Sequence, residues 1–230
     1  MSGVCPCLRD GDWHQAVHVW LLVESTKELL VQRRARDKDS WPGRWDISSA
    51  GHVEAGQTCI EAARRELEEE LGVSLPEEAF LPCFVYKQAY ENTFHGKHFV
   101  NNEFDFVYLV VLSSRKPLQD YQLQKEEVEE VRYMDFREVQ ASLASKDPNF
   151  VDAYHVNQGN VDIVDIDIDV QEKGTVQVDY QKLFQMIATI YSNREESILS
   201  KTKVETMAEG QARTEFYCNL SVNHSTFETI

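Results

Sequence analysis

The segment GHVEAGQTCIEAARRELEEELGV, from Gly51 to Val73, decides how this chain folds. It opens with loop-forming residues, continues after Thr58 as a run with helical periodicity, and ends at Gly72. A threonine before such a run and a glycine after it are typical helix boundaries. The segment therefore predicts a loop, a helix over Cys59–Leu71 and a second loop.

Acidic residues crowd the second half of this predicted helix. Glu66 and Glu70 are four residues apart and Glu69 is three from Glu66, so all three are expected on one face. Another face carries residues expected to pack in a core, namely Ile60, Ala63 and Leu67. Mg²⁺ or Mn²⁺ would offset the repulsion between these carboxylates, which are hard oxygen ligands suited to either ion. The alternative is a solvated acidic face balanced by the arginines that precede Glu66.

The spacing of these residues resembles the Nudix box, G-x5-E-x7-R-E-U-x-E-E-x-G-U, in which U is aliphatic. The matching positions are Gly51, Arg65, Glu66, Leu67, Glu69, Glu70, Gly72 and Val73. One position departs, since Gln57 stands where the pattern has its first glutamate. The resemblance implies an α+β fold, an α/β/α sandwich with a mixed sheet in which the box forms a loop-helix-loop. It also implies a hydrolase that cleaves a diphosphate.

The resemblance assigns roles to the residues of the box. Glu66, Glu69 and Glu70 would hold the metal, and Glu66 and Glu69 are also candidate catalytic residues. Arg65 would orient these glutamates by ion pairing. Gln57 can still bond Arg65 through its amide, so the box is weakened without being inactive.

Structural roles are expected for Arg65 and Gln57 and for the glycines at positions 51 and 72. Family members often use a base outside the box. Glu103, in NNEFDFVYL, is favoured here as both a metal ligand and a catalytic residue. Glu127, in KEEVEEVRY, is the weaker candidate, because acidic residues before a strand are often simply solvated.

Within the family, the chain is most similar to the isopentenyl-diphosphate isomerase branch. The resemblance rests on WHQAVHVWLL, RRARDKDSWPGRWDISSAGH and NNEF. It implies that His14 and His52 are metal ligands, although a lone strand histidine is more often structural. It also implies a set of substrate-binding residues, namely Arg34, Lys38, Trp41 and Arg44.

The decisive departure from the isomerases is Ala50, which stands where they carry a catalytic cysteine. Because alanine cannot transfer a proton, isomerase activity is not expected. The box glutamates point instead to diphosphate hydrolysis, and the family resemblance implies isopentenyl or dimethylallyl diphosphate as the substrate, cleaved to the monophosphate plus phosphate. The alternatives are a pyrophosphatase of the ADP-ribose type and a non-catalytic Nudix binding module.

The composition of the chain limits the kinds of molecule it is expected to bind and the compartment in which it is expected. The chain has 230 residues and a formal net charge of -16, which disfavours nonspecific binding to nucleic acid. Its five cysteines are scattered, as expected for free thiols in a reducing compartment. No signal peptide or membrane span is recognisable, so a cytoplasmic protein with a small diphosphate substrate is expected. The oligomeric state stays open.

The rest of the chain predicts mostly strands, with two further helices. Strands are expected at AVHVWLLVES, ELLVQRRA, FLPCFVYKQAY, EFDFVYLVVLSS and EEVEEVRYMD, with YENTFHGKHFVNN as a loop between the third and fourth. Helices are expected to begin near Asp135 and within DYQKLFQMIATIYS. The Nudix domain is assigned to 1–192. It includes an acidic insertion at about 157–178, which is either a hairpin or a flexible segment.

The final segment, 193–230, is interpreted as a disordered or divergent tail. The family resemblance implies that longer members carry a second domain there, similar to dipeptidyl-peptidase III. No H-E-x-x-H motif occurs in this chain. A truncated form without peptidase activity is therefore expected.

Overall fold

The computed structural model describes residues 11–152 and 182–191. The chain divides into two compact units, Met1–Ile187 and Ala188–Ile230. Residues 182–187 of the first unit are helical, and so are 188–191, the described part of the second, which confirms the predicted late helix. The acidic insertion at 157–178 and the tail at 193–230 lie outside the described residues.

The first unit is built on a seven-stranded mixed sheet. Its strands are β1 (His14–Val23), β2 (Glu28–Arg34), β3 (Trp45–Asp46), β4 (Ser49–His52), β5 (Phe80–Phe94), β6 (Lys97–Leu112) and β7 (Val128–Asp135). The order is β3-β2-β1-β6-β5, with β4 also paired to β1 and β7 to β2. Strands β1 and β6 are parallel and the other pairs are antiparallel. The predicted α+β class with a mixed sheet is therefore confirmed.

Helix α1 (Cys59–Leu71) has the predicted bounds. Thr58 and Glu61 form a capping box at its start, and Gly72, with φ of 64°, ends it in the left-handed conformation that glycine adopts most easily. Its buried Ala63 and Leu67 belong to one core cluster with the odd-numbered apolar residues of β1. The even-numbered residues of β1 lie on the opposite face, because side chains alternate along a strand.

A second helix, α2 (Phe136–Ala144), begins after Asp135, whose side chain accepts a hydrogen bond from the Arg137 amide. Its start also agrees with the prediction. Among the described residues, no helix is long and apolar enough to cross a membrane.

The segment predicted as a loop, YENTFHGKHFVNN, is instead the far end of a long β5–β6 hairpin. Pairing continues to Phe94 and Lys97, and the turn is made by His95 and Gly96 with φ of 50° and 74°. The loop prediction was wrong because the inward-facing positions of this hairpin carry polar residues. The alternation of burial is intact, but hydrophobicity does not follow it.

Candidate metal and diphosphate site

Strand pairing brings two histidines and a glutamate together on one face of the sheet. The parallel register places His14 opposite Glu103, and the antiparallel register of β4 places His52 opposite Ala16 of β1. Glu103 Oε1 lies 3.0 Å from His14 Nε2 and 3.2 Å from His52 Nε2. In the described part of the chain, this is the one group of three or more candidate ligands whose donor atoms all lie within 4.8 Å of one another.

The hydrogen bonds of this cluster require a proton or a metal ion between His14 and Glu103. His14 Nδ1 donates to the Asp12 carbonyl at 2.9 Å, so neutral His14 presents a lone pair at Nε2 towards the Glu103 carboxylate. Two acceptors that face each other need a proton or a metal ion between them. Two imidazoles and one carboxylate fit a divalent transition metal.

Without a metal, a proton takes this place. Burial alone would lower the pKa of His14, but its hydrogen bonds to Glu103 and Asp12 outweigh burial and raise that pKa. Burial alone would raise the pKa of Glu103, but hydrogen bonds from His14 and His52 hold it well below its usual range. The cluster therefore keeps an ionised carboxylate ready for a cation.

Glu66 of the box reaches the same region from α1. A Cβ added to Gly51 would lie 2.0 Å from Glu66 Cδ, so this carboxylate rests directly on the bare backbone of β4. Burial raises the pKa of Glu66, although Arg65 opposes the shift. His52 opposes this shift as well, because its charge lowers the pKa of Glu66, so Glu66 lies within electrostatic range of the histidine cluster.

Arg65 joins α1 to this strand. Its Nη2 lies 2.8 Å from Glu66 Oε1 and donates to the His52 carbonyl at 2.9 Å, while Nη1 pairs with Glu69 Oε2 at 3.0 Å. The ion pairs expected of Arg65 are thus present. Gln57 Oε1 accepts a longer bond of 3.5 Å from Nη2, so the substituted box position keeps a contact with the arginine.

The three box glutamates point to different places. The side chain of Glu69 is 52% exposed, whereas Glu70 is buried and accepts hydrogen bonds from the Ala50 amide at 3.2 Å and Gln32 Nε2 at 3.3 Å. Burial raises the pKa of Glu70 to about 8. Shared metal binding by Glu66, Glu69 and Glu70 stays a prediction, since their oxygens do not form a group of close ligands in the described structure.

The predicted substrate-binding cations have partners within the protein. Arg34 pairs with Asp46 at 2.9 Å, and Lys38 pairs with Glu127. That pairing gives Glu127 a role outside the histidine cluster. Binding of a diphosphate by these cations stays a prediction that requires them to exchange partners.

Aromatic residues surround Trp41, which lies in the segment between β2 and β3. Trp41 is buried, its Nε1 donates to the Tyr90 hydroxyl at 3.3 Å, and its ring lies 5.1 Å from that of Phe94. The Arg44 guanidinium stacks 4.8 Å from the Trp41 ring and donates to the Phe150 carbonyl. These contacts fix an apolar wall in place.

Sequence reasoning missed the buried polar residues next to Glu103. Gln88, Asn101 and Asp105 are each at most 5% exposed, and His18 lies 3.6 Å from Asp105. Burial lowers the pKa of His18 to about 4. Only the pairing of β5 with β6 places Gln88, Asn101 and Asp105 in the interior, and their polar sequence does not reveal that pairing.

Comparison with known proteins agrees with the fold and the box. Residues 12–154 match the NUDIX domain, so the chain belongs to the NUDIX family. It is 54% identical over 149 residues to Nudix hydrolase 3 of Arabidopsis thaliana, covering 65% of this chain and 19% of that protein. The chain thus spans only a small part of that relative.

Two further relatives are more distant. An uncharacterized Nudix hydrolase of Listeria monocytogenes is 32% identical over 151 residues, which are 66% of this chain and 79% of that protein. Isopentenyl-diphosphate Delta-isomerase of Escherichia coli is 35% identical over 108 residues, or 46% of this chain and 56% of that enzyme. The chain is therefore a Nudix hydrolase family member with similarity to the isomerases, as predicted.

Proposed function

We propose that this domain hydrolyses the diphosphate of a small molecule with the help of divalent metal. We further propose that its substrates are isopentenyl and dimethylallyl diphosphate, each cleaved to the monophosphate and phosphate. The observation that carries the proposal is the cluster of His14, His52 and Glu103 next to box residue Glu66. Ala50, next to this arrangement, offers no group for an isomerase proton transfer.

The donor atoms suggest which metal each part would hold. Imidazole nitrogens suit Mn²⁺ and later transition metals better than Mg²⁺, so His14, His52 and Glu103 would hold such an ion. Glu66, Glu69 and Glu70 offer only oxygens and would suit either Mg²⁺ or Mn²⁺. A bound divalent ion lowers the pKa of water and offsets charge on a departing phosphate.

The side chains around the metal sites would divide the remaining work. Glu66, Glu69 and Glu103 are the candidates to accept a proton from the attacking water. Arg34 and Lys38 would neutralise the diphosphate after exchange from their present acidic partners. The aromatic wall at Trp41 would face the hydrocarbon part of the substrate.

A non-catalytic role has little support. Its one argument is Gln57, which replaces the first box glutamate, yet Gln57 keeps a contact with Arg65. Arg65 also keeps its ion pairs with Glu66 and Glu69. These contacts favour a working box.

The test is phosphate release from isopentenyl diphosphate by the full chain, with Mg²⁺ or Mn²⁺ added. Glu66→Gln and Glu103→Gln should each lower kcat/KM by about 100-fold or more, because each removes a charged group at the reacting centre. Glu68→Gln is the matched control, since Glu68 is an exposed glutamate of the same helix outside the box pattern. Unchanged activity in Glu66→Gln and Glu103→Gln would show that the site is misassigned.

Two further measurements address the substrate. Hydrolysis of ADP-ribose in place of the isoprenoid diphosphates would replace the substrate assignment while leaving the site intact. Proton NMR in D₂O should show no deuterium at the carbons of isopentenyl diphosphate, and incorporation would identify an isomerase instead.

A further inference from the structure

The inner face of the β5–β6 hairpin carries polar side chains where a sheet interior normally carries apolar ones. The register pairs Gln88 with Glu103 and Tyr90 with Asn101. Gln88 and Asn101 are 5% and 4% exposed. A buried amide costs free energy unless it is hydrogen-bonded, so the partners of these amides indicate why they are there.

These side chains form a continuous series of hydrogen bonds that ends on Glu103. Asn101 Nδ2 donates to Glu103 Oε2 at 2.6 Å and to Gln88 Oε1 at 3.1 Å. Gln88 Nε2 donates in turn to Asp105 Oδ2 at 3.2 Å. Reversing the Asn101 amide would place its oxygen against two acceptors, so its orientation is determined by its neighbours.

The series gives the two oxygens of Glu103 separate tasks. Oε2 is held by Asn101, while Oε1 faces the Nε2 atoms of His14 and His52 at 3.0 Å and 3.2 Å. A carboxylate held at one oxygen cannot rotate freely about its last bond. Glu103 therefore presents one fixed oxygen to the two imidazoles.

We propose that Asn101 and Gln88 are positioning residues for the metal centre. Asn101 holds the Glu103 carboxylate with Oε1 towards the histidines, and Gln88 holds Asn101. This inference rests on the proposed function, because it requires His14, His52 and Glu103 to bind a cation. Both amides act through Glu103, so their first effect is on metal affinity.

The experiment measures Mn²⁺ binding to the full chain by electron paramagnetic resonance, without substrate. Asn101→Leu and Gln88→Met keep the approximate side-chain shape and remove the hydrogen bonds. Asn92→Leu is the matched control, because Asn92 is exposed on the same hairpin and its side chain bonds the adjacent Thr93 amide. Thermal unfolding shows which variants are folded.

Asn101→Leu should raise the Mn²⁺ dissociation constant by about 10- to 100-fold, the usual effect of losing a residue that orients a metal ligand. Gln88→Met should raise it by a smaller factor. The double variant should equal Asn101→Leu alone, since Gln88 acts through Asn101. Asn92→Leu should bind as the wild type does, and at saturating Mn²⁺ the KM for diphosphate should change by less than about 2-fold in all variants.

Glu103→Gln separates the two possible failures. If Glu103→Gln leaves Mn²⁺ binding unchanged, the metal centre itself is misassigned. If Glu103→Gln weakens Mn²⁺ binding while Asn101→Leu has no effect, or if the effects of the two single variants add fully in the double variant, only the positioning role is overturned. Should Asn101→Leu fail to fold, Asn101→Ser takes its place with the same expected loss.

Discussion

Gly51→Ala isolates the contribution of one carboxylate position to catalysis. The new methyl carbon would lie 2.0 Å from Glu66 Cδ, whereas carbon atoms in contact are separated by about 3.5 Å. The carboxylate must therefore retreat by about 1.5 Å. Because a misplacement of about 1 Å can cost 10²-fold in rate, kcat/KM should fall by about 100-fold.

The same change should hardly affect stability. Gly51 is not among the glycines with positive φ, so alanine fits its backbone. Moving the flexible end of Glu66 weakens its partly buried ion pair with Arg65, which costs about 1–2 kcal/mol, and replacing glycine recovers about 0.4–1 kcal/mol. The melting temperature should stay within about 4 °C of the wild type.

Two controls make the result specific. Gly56→Ala lies in the same box, where an added Cβ would meet nothing within 4 Å, but φ is 84°. It should lose stability and keep activity, which is the opposite signature.

Glu66→Asp shortens the colliding side chain by one methylene, about 1.5 Å. In the Glu66→Asp background, the further change Gly51→Ala should therefore lower kcat/KM by less than about 3-fold. Phosphate release and differential scanning fluorimetry measure both effects. Full activity in Gly51→Ala, or a 100-fold loss in both backgrounds, would refute the reasoning.

Three further predictions concern charge. The raised pKa of Glu70, about 8, stabilises the metal-free protein at pH values below the ordinary carboxyl pKa of 4.5, and this stability is lost as pH rises through 8. Chemical denaturation in the presence of chelator should show the free energy of unfolding falling as pH rises in the wild type and not in Glu70→Gln. Equal dependence of this free energy on pH in both proteins would contradict the prediction. Arg65→Lys should lower kcat/KM by about 10-fold or more without abolishing metal binding, because lysine cannot reproduce the forked contacts of arginine; wild-type kinetics would exclude that role. Mn²⁺ binding should displace the proton of His14, whose pKa is raised, so affinity should fall as pH falls, and calorimetry in two buffers should detect proton release. His14→Gln is the control and should show a weaker pH dependence and release fewer protons, and equal proton release in both proteins would contradict the prediction.

Local signals in the sequence were sufficient to predict where the helix of the box begins and ends. Thr58 and Gly72 mark the ends of α1, since capping and left-handed φ depend on residue type at one position. The family resemblance pointed to His14, His52 and Glu103 individually. Their distances, however, follow from β1 lying between β4 and β6, and that pairing is not visible in any short segment.

The sequence by itself determined the family, the bounds of α1 and the acidic residues available for a cation, because these depend on spacing along a single segment. Only the tertiary structure decided that Glu66 lies on Gly51, that Glu70 is buried beneath Ala50 and that Asn101 holds Glu103. It also showed that the segment expected to be a loop, YENTFHGKHFVNN, forms paired strands of the β5–β6 hairpin. The physical reason is that strand register and burial arise from contacts between distant segments, which set the direction and charge state of each side chain.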